Sequence, residues 1–383
     1  MKIFKNHKIV LSIIIVFLSA VCAQAYPPDN AAVLYYKAAM SYEVDDEMKN
    51  MLADLKSGDI ELNNKIREFV NKNRLIIDTV LDATEVKNCD WGLDISQGAD
   101  FLLPQLGSFR KLVYLIIADA KILAKDGDYQ EALSRYMSLY KMANHINDRV
   151  FVCYLVGISI HALANGCVTE IMSEMPQNTE NLIKLKTQFY EIAGTPPSYK
   201  QALWGERDAM LMFMTPEYLP DVIRLCDINE SCKEKYMSLD DSALEHNRNY
   251  FKNYYTSIID AFEMPYVQGY TTMKDLEKEM TKNCVNDPDK ILACTLLPAV
   301  NRIFSLTTRL ATHNNAIKAA LEIYLIKAKT GTLPKSLPAG LPKDMFSGED
   351  FDYEQTDDGF TLRCKGIEFG NNEIHEYKFK VKK

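Results

Sequence analysis

The stretch from Ser108 to Ile146 constrains the fold more than any other part of the chain. Phe109, Leu112, Val113, Ile116, Ile117, Ala120 and Leu123 recur at three- and four-residue spacing and make one apolar helical face. Asp126-Gly127-Asp128 is a turn signal, and Ala132, Leu133, Tyr136, Leu139, Tyr140 and Ala143 make a second face behind it. Two such faces joined by so short a turn must meet as an antiparallel helix pair. The small side chains of Ala120 and Ala132 let the axes approach closely. A pair like this still exposes apolar surface, so the rest of the chain has to supply more helices to cover it.

It does. Asn30 to about Lys87 is helical in pattern, with Asp29 or Asn30 placed to cap the start. Asn88 to Leu106 breaks the period with Trp91-Gly92, Gly98 and Pro104 and reads as an ordered loop with short helical turns. Phe151 to Val168 is nearly long enough to cross a bilayer. Cys153, His161 and Asn165 interrupt it, so a helix buried on all sides within a bundle is expected. Helices follow over Thr179–Ile192 and Tyr199–Met214, and five prolines break up residues 215–300. Val300 to Lys329 is one long helical pattern. Beyond it, Phe351–Glu354, Phe360–Cys364 and Tyr377–Val381 alternate around the Asp357-Asp358-Gly359 turn, the mark of a small antiparallel sheet. The expected fold is mainly α: an antiparallel helical bundle or short solenoid over residues 26–299. A small α+β module, a long helix plus an antiparallel hairpin sheet, follows over 300–383.

Residues 1–25 read as a cleavable signal peptide. Lys2, Lys5 and Lys8 precede an apolar run from Ile9 to Leu18, and Ala23-Gln24-Ala25 offers the small residues a signal peptidase requires. Val21 stands where lipid attachment to Cys22 calls for a small residue, and Tyr26-Pro27-Pro28 ends the segment promptly, which disfavours lipoprotein and anchor alike. Cleavage removes three lysines and no acid, moving the net charge from −8 to −11 over the remaining 358 residues. An acidic chain with no Lys/Arg cluster excludes nucleic acid as a partner and disfavours an anionic membrane surface. The expected protein is exported, periplasmic or extracellular, with no stable membrane span after cleavage.

Export gives the eight remaining cysteines a meaning. Cys226 and Cys232 bracket a short polar stretch, and Cys284 and Cys294 bracket the turn-rich Asn286-Asp287-Pro288-Asp289; each pair is expected to close a local bridge. Cys153 and Cys167 lie about 20 Å apart along one helix and are expected as core thiols. The sequence holds no CxxC pair and no Cys/His cluster, and the Asp-rich loop lacks the D-x-D-x-D spacing of a calcium site, so no metal and no cofactor is expected.

Candidate chemistry is sparse. No G-x-S-x-G, H-E-x-x-H or phosphate-cradling loop occurs. Asp90, Trp91 and Asp94 place two carboxylates and an aromatic in an irregular segment, suited to a sugar or to acid/base work; the alternative is helix capping with Trp91 packed on the bundle. Trp204, Glu206 and Arg207 share one helix, where a buried ion pair with a neighbouring helix is expected. His145, His161, His246 and His313 occur singly on helical patterns, as structural histidines do.

Some of these residues also carry resemblances. Ala120, Gly127-Asp128-Tyr129 and Ala132 resemble one tetratricopeptide repeat, although Leu139 stands where the repeat has an alanine and no second copy follows at the 34-residue period. Asn30-Ala31-Ala32, Leu34-Tyr35-Tyr36, Cys89-Asp90-Trp91-Gly92, Asp94, Leu103-Pro104 and Arg110 resemble a family of exported, uncharacterised helical proteins from planctomycete-like bacteria. His145, Leu155-Val156-Gly157 and Gly205-Glu206-Arg207 fit its layout. The tail from Gly331 through Asp344-Met345-Phe346-Ser347-Gly348 to Asp358-Gly359-Phe360 fits its C-terminal module, and is loosely similar to the C-terminal region of type II secretion pseudopilins. The pilin-type N-terminal processing site and helix are missing, so pilus assembly is not implied. The family implies a fold and export but no catalytic residue.

Two functions compete on this reading. The first is an exported scaffold or interaction protein that binds another exported protein or peptide, with Asp90, Trp91, Asp94, Arg110, Trp204, Glu206 and Arg207 as candidate binding residues. The second is a hydrolase of envelope polymers working through the acidic residues of the 88–106 loop.

Overall fold

The computed structural model describes residues 29–93, 103–147, 150–194, 196–283, 287–297 and 300–382, apart from the side chains of residues 104, 230–232 and 281–283. The signal peptide, Asp94 and Cys284 lie outside the described residues. Fifteen α-helices and one three-stranded antiparallel sheet are present among them, so the chain is mainly α with a small α+β module at its C-terminal end.

Four short helices, α1 (Ala31–Ser41), α2 (Asp46–Ser57), α3 (Asn64–Lys72) and α4 (Arg74–Glu85), divide what the periodicity shows as one helical region. Each break has a local cause. Asn30, Asp45 and Asn63 accept hydrogen bonds from the backbone N–H groups of Ala32, Met48 and Ile66, capping α1, α2 and α3, and Gly58 ends α2 in the left-handed conformation at φ 81°. The central pair is α5 (Pro104–Lys125) and α6 (Tyr129–Ile146). Between them Gly127 turns at φ 89° and Asp128 caps α6 through the N–H of Glu131. Ala120, Ala132 and Leu139 are each fully buried at the packed faces. The cost of closing α5 on its neighbours includes burying Asp119, which Arg74 and Arg135 neutralise at 2.7 and 3.1 Å.

Helix α7 (Phe151–Glu174) packs on α6 so closely that a Cβ at Gly157 would stand 2.8 Å from the carbonyl oxygen of Ala143. It is the one described helix long and apolar enough to cross a membrane, and 61% of that window is buried in the protein. The expectation of burial on all sides is corrected: Val152, Ser159 and Ala162 are exposed and Leu155, Val156 and Leu163 half-buried. Helix α8 (Thr179–Gln188) runs into a π-turn over Phe189–Ala193. Then come α9 (Tyr199–Met212), α10 (Leu219–Leu225), α11 (Glu230–Met237), α12 (Asp241–Phe262), α13 (Tyr266–Asn283) and α14 (Ile291–Leu296).

The last helix, α15 (Asn301–Thr330), packs against α7, α8 and α13, and Gly331 ends it in the left-handed conformation. Strands β1 (Asp352–Thr356), β2 (Gly359–Arg363) and β3 (Glu376–Lys380) pair in the order β1-β2-β3, with Thr356 opposite Gly359 across the Asp357-Asp358 turn. Asp344 folds the loop before the sheet. Fully buried, it accepts from the N–H groups of Phe346, Lys365 and Gly366 and the hydroxyl of Ser347. The sheet is tied back to the helices: the hydroxyl of Tyr324 and the amide of Gln177 both donate to the carbonyl of Lys380.

The cysteines follow the expectation only in part. Cys153, Cys167 and Cys364 are buried and take part in no disulfide. Cys226 is a free, exposed thiol, which corrects the expected Cys226–Cys232 bridge. Cys226 caps α10, the chain turns through Asp227 at φ 49°, and Cys232 is already in the first turn of α11, so two helix ends claim this stretch. Cys294 is disulfide-bonded.

Candidate functional site

The apolar side of α7 left open faces a matching stripe on α15. Phe151, Leu155, Ile158, Ala162 and Leu163 on one helix and Ile303, Leu306 and Leu310 on the other line a groove of about 780 Å³. Each set recurs at three- and four-residue intervals, so each belongs to one helix face. A groove of this size between helices matches the usual place for a bound ligand in a helical protein.

Ser159, Arg302, Arg309, His313, His375 and Tyr377 are the polar residues that line the groove. Arg302 is exposed at one end and makes no ion pair among the described residues. At the other, Arg309 donates bidentately to Glu368, with Nε–Oε2 at 2.9 Å and Nη2–Oε1 at 2.7 Å. Glu368 is only 2% exposed, and its Oε2 also meets His375 Nε2 at 2.6 Å. His313 stacks on Tyr377, ring centres 4.7 Å apart, and burial lowers its pKa to about 4, so it is neutral at pH 7. The hydroxyl of Tyr377 is buried without a hydrogen-bond partner. The groove is therefore an apolar trough with an unpaired Arg302 and an unpartnered Tyr377 hydroxyl, and no carboxylate lines it among the described residues.

Glu368, Glu373 and His375 could offer three ligand atoms within 4.8 Å of one another. Both oxygens of Glu368 are already held by the guanidinium of Arg309, and a metal ion there would have to displace a bidentate ion pair. The cluster is an ionic brace between α15 and the tail.

The residues singled out from sequence are dispersed. Asp90 Oδ1 accepts the N–H of Gly92, while its backbone N–H and carbonyl both pair with the side chain of Asn30. This carboxylate serves its own turn. Trp91 is 4% exposed, stacks on Tyr35 with ring centres 5.7 Å apart, and donates Nε1–H to the carbonyl of His145. Arg110 lines a separate cavity of about 460 Å³ together with Lys49 and Lys111. The buried ion pair expected between Glu206 or Arg207 and a neighbouring helix is corrected. Arg207 lies over the Trp204 ring at 4.1 Å and pairs with adjacent Asp208 at 2.6 Å. Glu206 instead accepts the backbone N–H of Phe151 in the first turn of α7, and burial raises its pKa. That position matches the positive end of a helix dipole.

The histidines are structural. His145 Nδ1 meets the Tyr35 hydroxyl at 2.9 Å, His161 Nε2 meets Asn314, His246 meets Asp289 at 3.2 Å, and His313 is stacked as described. Sequence reasoning missed Arg309, Glu368 and His375, because Glu368 lies 59 residues from Arg309 and in no recognisable spacing to it. The stripes of α7 and α15 were visible as periodicity, though not as facing partners. No protein family, curated protein or solved structure matches the chain.

Proposed function

We propose that this protein is an exported binding protein that holds an apolar, acid-bearing segment of another exported protein in the groove between α7 and α15. The groove itself carries this reading: apolar residues of two facing helices line it, and Leu155, Leu163 and Leu306 stay half-buried and Ala162 exposed there. An unpaired apolar face of this extent in an acidic protein is a recognition surface. Charge complementarity selects the occupant. Among the described residues Arg302 is unpaired at the rim and no carboxylate lines the trough, so the groove attracts an acidic group although the chain as a whole is negative.

Export rests on residues 1–25, and the disulfide at Cys294 supports it, since such bonds persist in oxidising compartments. Pairing of Cys294 with Cys284 belongs to the same proposal. The hydrolase alternative finds no support in the positions of Asp90 and Glu206, which serve two separate backbone segments.

The test is a titration of a dye-labelled peptide carrying leucines at helical spacing and one terminal aspartate. Ala162→Trp fills the groove from an exposed position and is expected to weaken binding by about tenfold or more, with thermal unfolding unchanged. Equal affinity for both proteins would sink the proposal.

A further inference from the structure

A second, smaller cavity lies away from the groove, between α1, the Trp91 segment and the first turns of α5. It holds about 170 Å³, room for one ring-sized group, and its walls include Tyr35, Tyr36, Trp91 and Phe109. The aromatic walls have already used their polar atoms. The hydroxyl of Tyr35 meets His145, that of Tyr36 donates to the Trp91 carbonyl, and the Trp91 indole donates to the His145 carbonyl.

Gln105 is the exception. It lines the same cavity at 3% exposure, and neither its Nε2 nor its Oε1 has a hydrogen-bond partner. Among the described residues it is the one buried side chain with two separate polar atoms, an N–H donor and a carbonyl acceptor, both without a partner. Folded proteins leave few such groups without a reason, because a buried amide stripped of water is costly. A side-chain amide presents its N–H and C=O along one edge. The matching ligand must present an acceptor and a donor along one edge of its own.

We propose that this cavity is a binding site for a planar, ring-sized group bearing a primary carboxamide or a lactam edge, held by paired hydrogen bonds to Gln105 between aromatic walls. A secondary trans amide is excluded by its geometry, since its N–H and C=O point to opposite edges. A carboxylate is disfavoured because it offers only acceptors and would face Gln105 Oε1. This site is independent of the α7–α15 groove.

The experiment is calorimetric titration of the full chain with benzamide, 2-pyridone, N,N-dimethylbenzamide and benzoate. Binding of benzamide or 2-pyridone at least about tenfold tighter than the other two is expected, since the controls keep an acceptor but have no N–H to donate, which leaves the buried Gln105 Oε1 unsatisfied. The tighter of the two identifies the open carboxamide or the lactam as the preferred source. Gln105→Leu, close in volume, is expected to remove the difference between benzamide and its dimethyl analogue. The chain has two tryptophans, so in the Trp204→Phe background ligand binding should change the emission of Trp91 alone. Equal affinity for benzamide and N,N-dimethylbenzamide in the wild-type chain would overturn the proposal with no variant needed, as would full retention of the preference by Gln105→Leu.

Discussion

Glu368 shows what a single side chain contributes here. Its carboxylate is withdrawn from water, and Arg309 and His375 take over the solvation it has lost. Arg309→Ala leaves that buried carboxylate with His375 alone beside it, which should cost about 2–4 kcal/mol in urea unfolding, the low end reflecting the partial exposure of the arginine. Arg309→Met combined with Glu368→Gln should recover much of the loss, because no orphaned charge remains. If the double variant is no more stable than Arg309→Ala, the brace is not electrostatic. His161 acts in the opposite sense. It is fully buried, and burial lowers its pKa from 6.5 to about 4. The unfolded chain therefore takes up a proton near pH 6.5 while the folded chain resists until about pH 4. Stability is complete above that window and falls as the pH drops through it, by up to about 3 kcal/mol from this residue. His161→Asn should lessen the pH dependence of the urea midpoint between 6.5 and 4, the remainder coming from His145 and His313, which burial lowers in the same way, and an unchanged slope would count against this assignment.

At the scale of elements, the close approach of α6 and α7 depends on Gly157. A methyl group there would press on the backbone carbonyl of Ala143, which has no rotamer to escape into. Gly157→Ala should lower stability by about 1–3 kcal/mol in thermal or urea unfolding, against the gain expected for alanine in an open helix. A stabilised variant would mean that the two helices can slide apart freely. The α5–α6 pair and the β1–β2 hairpin were legible in the sequence because their causes are local: an apolar period, a glycine at positive φ, a two-residue turn. Asn30 as a cap was legible for the same reason. The ionic brace, the Gln105 cavity and the open side of α7 were not. Each depends on which helix lies opposite, and neither composition nor spacing encodes that. Asp90 and Glu206 attracted notice by residue type, yet backbone N–H groups claim both, a use that leaves no mark in a single sequence.

Across the molecule, the helices form one continuous apolar core into which α15 and the sheet are drawn, so the C-terminal module closes one wall of the groove. The groove therefore needs α7 and the tail together. Recognition in the groove depends most on Arg302 reading an acidic group while the stripes of α7 and α15 hold apolar side chains. A charge swap tests this directly: affinity of the leucine-bearing peptide, with a terminal aspartate or a terminal lysine, for wild type and for Arg302→Glu. The expected result is that wild type prefers the aspartate peptide, that Arg302→Glu weakens it several-fold, and that the lysine peptide recovers affinity on the variant. Identical affinities in all four combinations, or no binding in any, would contradict the account.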